Sequence, residues 1–258
     1  MAKTIATLCI ASFLMTVSSV APCLGGEISL NVPSVSSLPI HAAEVVDVKA
    51  NVIAIIGGKG IQNRRGRSKN FLVRQREAFS DKRINVYLLP NVSEYERATY
   101  EYRVSGVNLE RILALITEIK IRNSKPIFIV GFSRGSVDAS VFSKNFPHTI
   151  SGIVIISAIY TNSSRKAADF SMEEIIGTKI DVPIVIAHHK KDQCWVTQYS
   201  HARDFFDRLE VSDKTFFSYV GGTPNGRECG PFHYHGFEGI EHKVVKDITS
   251  SILSISAR

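Results

Sequence analysis

The sequence has few of the residues on which several common kinds of functional site depend. It contains four cysteines and one tryptophan in 258 residues, and the cysteines show no spacing typical of a zinc site. It has no internal repeat and no basic motif interleaved with aromatic residues. The net charge of +7 is therefore not by itself an indication of nucleic-acid binding. We expect no metal, no cofactor and no nucleic-acid partner.

The two common nucleotide-binding motifs are incomplete in this chain. Gly58-Lys59-Gly60 could begin a dinucleotide-binding motif, but Asn63 occupies the position of its third glycine. The phosphate-binding loop also fails, because Ile53 stands where glycine is needed and Gly60 where serine or threonine is needed. The glycines of this segment need another explanation.

The beginning of the chain resembles an export signal. Lys3 is followed by a stretch without charge over residues 4–26, apolar in its middle and rich in small residues at its end. This pattern predicts a secretory signal peptide over residues 1–26 and a mature domain over 27–258. An uncleaved anchor or a first buried helix are the alternatives, and the cleavage position is left open. We expect a secreted or periplasmic protein without a membrane span after cleavage.

Cleavage would leave only two cysteines. Cys9 and Cys23 belong to the predicted signal, whereas Cys194 and Cys229 stay in the mature domain. Oxidising compartments favour disulfides, so a single pair in an exported chain is expected to be bonded. The sequence therefore predicts a disulfide between Cys194 and Cys229.

Apolar runs typical of strands alternate with helix-like segments along the mature chain, which is long enough for one domain with a substantial core. The predicted strands are 52–56, 84–89, 127–130, 150–159, 182–187 and 215–220. The predicted helices are 70–79, 107–121, 136–144 and 239–255. Such alternation predicts an α/β domain with a mostly parallel sheet and helices on both faces. The strands before residue 48 are not clear from the sequence.

The segment Gly131-Phe-Ser-Arg-Gly135 follows an apolar strand and precedes a helix. A sharp turn from strand to helix crowds the two elements, and glycine lacks the Cβ that would clash. Such a turn presents its central residue, Ser133, at the edge of the sheet as a nucleophile. The alternative is an ordinary tight turn with a solvated serine.

Two further candidate residues follow later strands. Asp192 lies in the loop after the strand at 182–187, and His235 precedes the last helix. Functional groups of a parallel sheet gather at the carboxyl ends of its strands. The order Ser133, Asp192, His235 is the nucleophile, acid and histidine order of one hydrolase architecture. His233 is the main alternative to His235.

The glycine-rich turn after the first predicted strand is a candidate oxyanion site. The backbone N–H groups of Gly58 or Lys59, together with that of Arg134, could bind a developing negative charge. A flexible glycine turn without such a role is the alternative.

These motifs resemble those of the α/β-hydrolase superfamily from about residue 48 to the end of the chain. The resemblance is strongest to small secreted bacterial members that share Asn-Phe-Leu-Val-Arg (70–74), His-His-x-x-Asp-x-Cys (188–194) and a Cys…His-Gly-Phe-x-Gly-Ile-Glu ending (229–241). It implies a serine hydrolase site without specifying a substrate, and it favours His235 over His233. The short stretch between Tyr160 and Asp181 leaves no room for a large cap domain.

The sequence thus predicts a serine hydrolase that acts on a small acyl ester through an acyl-enzyme. An acyltransferase using the same site and a catalytically silent binding protein are the alternatives, and the oligomeric state is open. A run of cations follows the glycine turn, namely Lys59, Arg64, Arg65, Arg67 and Lys69. Such a run is usually a solvated face, although here it could attract an anionic substrate.

Overall fold

The computed structural model describes residues 26–160, 167 and 169–258. In this part of the chain eight strands form one sheet. The strands are β1 (Gly26–Leu30), β2 (Ile40–Glu44), β3 (Ala50–Ile55), β4 (Ile84–Leu88), β5 (Ile127–Phe132), β6 (Gly152–Ile156), β7 (Ile184–His189) and β8 (Lys214–Tyr219). The α-helices are α1 (Phe71–Arg74), α2 (Arg76–Ser80), α3 (Tyr100–Arg103), α4 (Gly106–Arg122), α5 (Gly135–Asn145), α6 (Met172–Ile176), α7 (Tyr199–Arg208) and α8 (Glu241–Ser256).

The sheet is mostly parallel. Its strand order is β1-β2-β4-β3-β5-β6-β7-β8, in which the six strands from β4 to β8 in this order run parallel. β1 and β2 form an antiparallel edge beside β4. Every residue of β3, β5, β6 and β7 is buried, as expected for strands covered on both faces. The predicted α/β class is confirmed.

Helices cover both faces, and alternate residues of each central strand face one helical layer or the other. On one face, Ile53 packs in a core with Ile112 of α4 and Phe142 of α5. On the other face, Val52 packs in a second core with Phe71 of α1 and Ile248 of α8. The carboxyl ends of β3, β5, β6 and β7 therefore meet at one edge between these two layers.

Two predicted elements differ in length or continuity, and one helix was missed. The helix expected over 70–79 is divided at Gln75, whose φ of −102° and ψ of 6° lie outside the helical range. The strand expected over 150–159 ends at Ile156, because Ser157 has a left-handed φ of 44°. Helix α7, which buries only Ala202 and Phe205, was not predicted.

The antiparallel edge gives a structure to residues that the sequence left unclear. The predicted signal peptide lies outside the described residues except for Gly26, the first residue of β1. Between β6 and β7, residues 161–166 and 168 also lie outside the described part, and α6 lies within it. In the described part, no helix combines the length and apolarity needed to cross a membrane.

Candidate active site

Ser133 lies on the turn between β5 and α5. It has a φ of 52°, a left-handed conformation that is strained for serine. The Ser133 N–H donates a hydrogen bond to the Ile156 carbonyl at the end of β6 (2.9 Å), and the Ser133 carbonyl accepts one from the Ser136 N–H (3.0 Å). These bonds fix the strained backbone from both sides. The side chain is half-buried, so it is accessible from the edge of the sheet.

The flanking glycines are required by close contacts between backbones. A Cβ on Gly131 would lie 2.4 Å from the Gly135 carbonyl oxygen, and a Cβ on Gly135 would lie 2.1 Å from the Ile55 carbonyl oxygen. Both distances are far below van der Waals contact. Gly57 completes the arrangement, since a Cβ there would lie 2.8 Å from the Ser133 Cβ. The two glycines around the serine therefore allow α5 to pack directly against β3 and β5.

Asp192 lies in the loop after β7, and its carboxylate is fully buried. Its Oδ1 accepts a hydrogen bond from the Cys194 N–H (2.9 Å). Its Oδ2 accepts hydrogen bonds from Thr197 Oγ1 (3.1 Å) and His235 Nδ1 (2.9 Å), and it lies 3.2 Å from His188 Nε2. Every side of the carboxylate is thus occupied by a polar partner, as a buried charge requires.

The environment of Asp192 stabilises its ionised form. Burial alone raises the pKa of this carboxyl group, because it penalises the charge. The charge of His235 and the hydrogen bonds from His188 and His235 outweigh burial and hold the pKa of Asp192 well below its usual range. The carboxylate is therefore negative at neutral pH and able to orient a histidine.

His235 lies on a short 3-10 turn, Tyr234–Gly236, ahead of α8. Its carbonyl accepts a hydrogen bond from Ser157 Oγ (2.9 Å), and its ring meets the Phe132 ring edge-on with centroids 5.2 Å apart. Nδ1 faces Asp192, so Nε2 is the nitrogen left for a substrate or a nucleophile. Backbone and ring are both held in place.

His233, the alternative to His235, faces elsewhere. Its Nδ1 is buried without a hydrogen-bond partner among the described residues, and its ring packs against Tyr234. None of the hydrogen bonds to Asp192 described above involves it. Of the two histidines that the sequence left open, the structure places His235 on the acid.

Ser133 and His235 line the same pocket, a cavity of about 340 Å³. Its wall also contains Gly57, Gly58 and Lys59 of the glycine turn. Ser133 Oγ makes no hydrogen bond with another described residue. The structure thus brings the serine, the histidine and the glycine turn to one opening at the carboxyl edge of the sheet.

Comparison with known proteins identifies the fold. No family model and no curated protein matches the chain. Among solved structures, the monoacylglycerol lipase of Paleococcus ferrophilus matches with a TM-score of 0.60 at 14% identity, over 84% of this chain and 99% of the lipase. Est1E from Butyrivibrio proteoclasticus matches with a TM-score of 0.60 at 13% identity, over 90% of this chain and 100% of Est1E. An α/β serine hydrolase without a lid from Xanthomonas campestris matches with a TM-score of 0.56 at 11% identity, over 91% and 94%.

The chain has the α/β-hydrolase fold. The predicted fold is therefore confirmed, including its resemblance to a hydrolase without a lid. In this fold Ser133 occupies the turn after the central strand β5, which has β3 on one side and β6 on the other.

The glycine turn of this α/β-hydrolase fold presents free backbone donors to the pocket. The N–H groups of Gly58, Lys59 and Arg134 donate to no other described residue. Gly58 has a left-handed φ of 61° and lines the pocket with Lys59. Arg134 is the residue that precedes the first turn of α5. Gly58 and Lys59 thus line the pocket with Ser133, and Arg134 follows Ser133 directly in the chain.

A buried ion pair contacts the backbone just before the glycine turn. Arg103 of α3 and Asp138 of α5 are in direct contact, and both side chains are almost completely buried. Arg103 Nη2 also donates to the Ile56 carbonyl (3.1 Å), immediately before the glycine turn. Asn108 Nδ2 donates to the other Asp138 oxygen (2.8 Å). The network thus connects the turn to the helix that begins behind Ser133.

The predicted disulfide is present between Cys194 and Cys229, whose Cα atoms lie 4.5 Å apart. Cys194 is buried and provides the backbone N–H that binds Asp192. Cys229 lines the pocket beside Ser133 and His235. The bond therefore joins the acid loop to the segment that leads into the histidine turn.

Sequence reasoning missed two residues that contact the acid. Thr197 Oγ1 donates to Asp192 Oδ2 and also lies 3.1 Å from His235 Nδ1. His188 donates from Nε2 to the Thr197 carbonyl (2.7 Å) and contacts Asp192. The sequence pointed to His188, because it lies four residues before Asp192. Thr197 belongs to no recognisable motif.

His189 has a different role from its neighbour. Its Nε2 donates to the Gly221 carbonyl (3.0 Å), its Nδ1 accepts from the Lys191 N–H (3.0 Å), and its ring stacks on Tyr234. Burial lowers the pKa of His189 below its ordinary value. The ring therefore holds the loops after β7 and β8 together. In the described part of the chain, no three His, Cys, Asp or Glu side chains are arranged as metal ligands.

Proposed function

We propose that this chain is a serine hydrolase that cleaves acyl esters, with Ser133 as nucleophile, His235 as base and Asp192 as the residue that orients the base. The observation that carries the proposal is the hydrogen bond between His235 Nδ1 and the buried Asp192 carboxylate at 2.9 Å, at a pocket that also contains Ser133. Lipases and esterases with the same fold add support at the level of fold.

In the proposed first step, Ser133 Oγ attacks the carbonyl carbon of the ester while its proton moves to His235 Nε2. The carbonyl becomes an oxyanion, which the N–H groups of Arg134 and of Gly58 or Lys59 bind. Asp192 stabilises the positive charge of His235. The alcohol then leaves with the proton from Nε2, and the acyl group stays on Ser133.

In the second step, a water molecule takes the place of the alcohol. His235 Nε2 accepts its proton as the oxygen attacks the acyl carbon, and it returns that proton to Ser133 when the acid leaves. The 20 residues between Tyr160 and Asp181 are too few for a large cap domain that would shelter a long acyl chain. We therefore propose a preference for short-chain, water-soluble esters.

We also propose that the protein is exported to a secreted or periplasmic location. The signal-like pattern of residues 1–26 and the disulfide between Cys194 and Cys229 support this.

The decisive experiment compares Ser133→Ala, His235→Ala and His233→Ala on a short p-nitrophenyl ester, with each fold checked by circular dichroism. The first two should lose turnover by a factor of about 10³ or more, because each removes a member of one catalytic unit. His233→Ala serves as the matched control and should keep most of its activity.

Labelling with a fluorophosphonate probe gives a second readout, which Ser133→Ala should abolish. A fully active Ser133→Ala variant would refute the nucleophile. An inactive His233→Ala beside an active His235→Ala would refute the choice of base. Product analysis with added alcohols separates hydrolysis from acyl transfer.

A further inference from the structure

A large cleft opens directly beside the candidate active site. Its volume is about 870 Å³, and it shares Ser68 and Lys69 with the pocket that contains Ser133. Six cationic side chains line it, namely Arg64, Arg65, Arg67, Lys69, Arg74 and Arg76. Glu27 is the one acidic residue in its described lining. The cleft is therefore strongly positive and adjoins the pocket at Ser68 and Lys69.

Two of these six cations are neutralised within the protein. Arg74 pairs with Glu241 (2.8 Å), and Arg76 pairs with Glu27. The other four make no ion pair with a carboxylate in the part of the chain that the structure describes. Because Glu27 is already paired with Arg76, the charges at Arg64, Arg65, Arg67 and Lys69 are uncompensated. Clustered charges of one sign in a cleft attract ligands of the opposite sign.

The backbone that carries Arg64, Arg65 and Arg67 is held by hydrogen bonds, while their side chains are exposed. Asn63 Nδ2 donates to the Arg67 carbonyl (2.8 Å), and Asn63 Oδ1 accepts from the Arg67 N–H (3.0 Å). His41 Nε2 donates to the Arg64 carbonyl (2.9 Å). A Cβ on Gly66 would lie 2.3 Å from the His41 ring, so the loop packs tightly on β2. The loop therefore presents exposed guanidinium groups from a preorganised support.

The character of the lining limits what could occupy the cleft. It contains no Phe, Tyr or Trp on which nucleic-acid bases would stack. The large apolar side chains that are most exposed, such as Trp195 and Val220, lie outside it, so it has no apolar rim for a lipid surface. Guanidinium groups bind carboxylate, sulfate or phosphate oxygens in pairs. A soluble polyanion fits these requirements.

We propose that the cleft binds the polyanionic part of the substrate, so that the natural substrate is an acyl ester of a soluble, extended polyanion such as an acidic oligosaccharide. The ester cleavage in this inference rests on the proposed function, whereas the binding of the polyanion does not. The polyanion lies along Arg64, Arg65 and Arg67, and Lys69 marks the passage to the pocket where its ester group reaches Ser133.

The test uses Arg64→Gln/Arg65→Gln/Arg67→Gln and a control with the same loss of charge, Lys82→Gln/Lys120→Gln/Lys125→Gln. The control lysines are exposed and precede the amino ends of β4 and β5, at the opposite edge of the sheet. Each variant and the wild type are assayed with acetylated oligogalacturonate, acetylated cello-oligosaccharide and p-nitrophenyl acetate. Only the first substrate is a polyanion.

The arginine variant should lose about tenfold or more in kcat/KM on acetylated oligogalacturonate, chiefly through KM, because the contacts are remote from the reacting atoms. Its activity on the two neutral esters should stay within about twofold, as should the control variant on all three. Raising salt from 0.1 to 1 M shortens the screening length from about 10 to about 3 Å and should weaken wild-type activity on the polyanion alone.

Binding of unacetylated oligogalacturonate, measured by calorimetry with Ser133→Ala, separates this inference from the proposed function. Binding that depends on the three arginines, without hydrolysis of any ester, would refute the proposed reaction and leave the cleft supported. Hydrolysis of neutral esters without such binding would overturn the proposed role of the cleft and leave the proposed reaction supported. An equal loss in both triple variants would also overturn it, since net charge would then explain the effect.

Discussion

Removing the disulfide should lower both the stability of this protein and its activity. Cys194 and Cys229 are separated by 35 positions, and their bond closes the loop that contains α7 and β8. The perturbation is Cys194→Ser/Cys229→Ser, or reduction of the wild type. Replacing both cysteines avoids a new free thiol beside the pocket.

The expected stability change follows from the length of the loop. In the chain-entropy model, a loop of this length removes roughly 3.8 kcal/mol of unfolded-state entropy at 25 °C, calculated for about 36 residues. For a domain of this size, each kcal/mol corresponds to about 2–4 °C in Tm. The double variant should therefore melt roughly 8–15 °C below the oxidised wild type.

The effect on activity has a separate cause. Cys194 donates its N–H to the Asp192 carboxylate (2.9 Å), and Cys229 begins the segment that leads to His235. Left-handed glycines at 221, 222 and 226 make the loop that precedes Cys229 permissive. Without the bond, the distance between acid and base is less constrained. A displacement of about 1 Å can cost on the order of a hundredfold in rate.

The assay measures turnover at least 15 °C below the Tm of each form, after mass spectrometry has established its thiol content. Reductant should slow the wild type but leave the double variant unchanged, which makes the variant the control for effects of the reductant itself. Unchanged turnover after verified reduction would refute the link to the site. Two free thiols in the mature, exported protein would refute the bond.

Two further predictions concern buried charges. Arg103→Gln should destabilise the protein by about 3–5 kcal/mol in urea unfolding, because it leaves the buried Asp138 carboxyl without its cationic partner. Arg122→Gln at the more exposed pair with Glu44 should cost about 1 kcal/mol or less, and equal losses would contradict the role of burial. The pKa of Asp192 is lower in the folded state than in the unfolded state, so its ionisation stabilises the fold at pH values above the unfolded pKa of about 3.9. This contribution is lost as the pH falls from there toward the folded pKa. Wild-type stability should therefore fall more steeply between pH 5 and 3 than that of Asp192→Asn, and identical slopes would contradict this.

The sequence was sufficient for the features that depend on local pattern. The turn around Ser133 was predicted because two glycines and a buried strand are adjacent in the chain, and close contacts at Gly131 and Gly135 account for them. The parallel strands were found because each is apolar on both faces. The pairing of Cys194 with Cys229 needed only the count of cysteines outside the predicted signal peptide.

Features that depend on packing between distant segments were not predictable. Thr197 reaches both Asp192 and His235 because the loop after β7 folds back on itself, and no residue pattern marks that return. Arg103 and Asp138 are ordinary charged residues in the sequence, and burial alone gives their contact its importance. Helix α7 is short and mostly polar, and it buries only Ala202 and Phe205.

The choice between His233 and His235 shows how close spacing limits sequence reasoning. The two residues are two positions apart, so either could be placed on the acid by a small change in the turn. The structure distinguishes them through the 3-10 turn, in which a Cβ on Gly236 would lie 2.0 Å from the Pro231 carbonyl oxygen. His235 Nδ1 lies 2.9 Å from Asp192 Oδ2, whereas His233 Nδ1 has no hydrogen-bond partner among the described residues.

The candidate site and the cationic cleft differ in how they could contribute to function. Around Asp192 and His235 the polar groups are buried and satisfied, so a ligand would find them already oriented and would lose little free energy in ordering them. The arginines at 64, 65 and 67 are instead exposed on a fixed backbone, where they attract charge over a distance and leave the reacting atoms undisturbed. Substitutions in the cleft should therefore act on KM and on salt dependence, whereas substitutions around Asp192 should act on kcat.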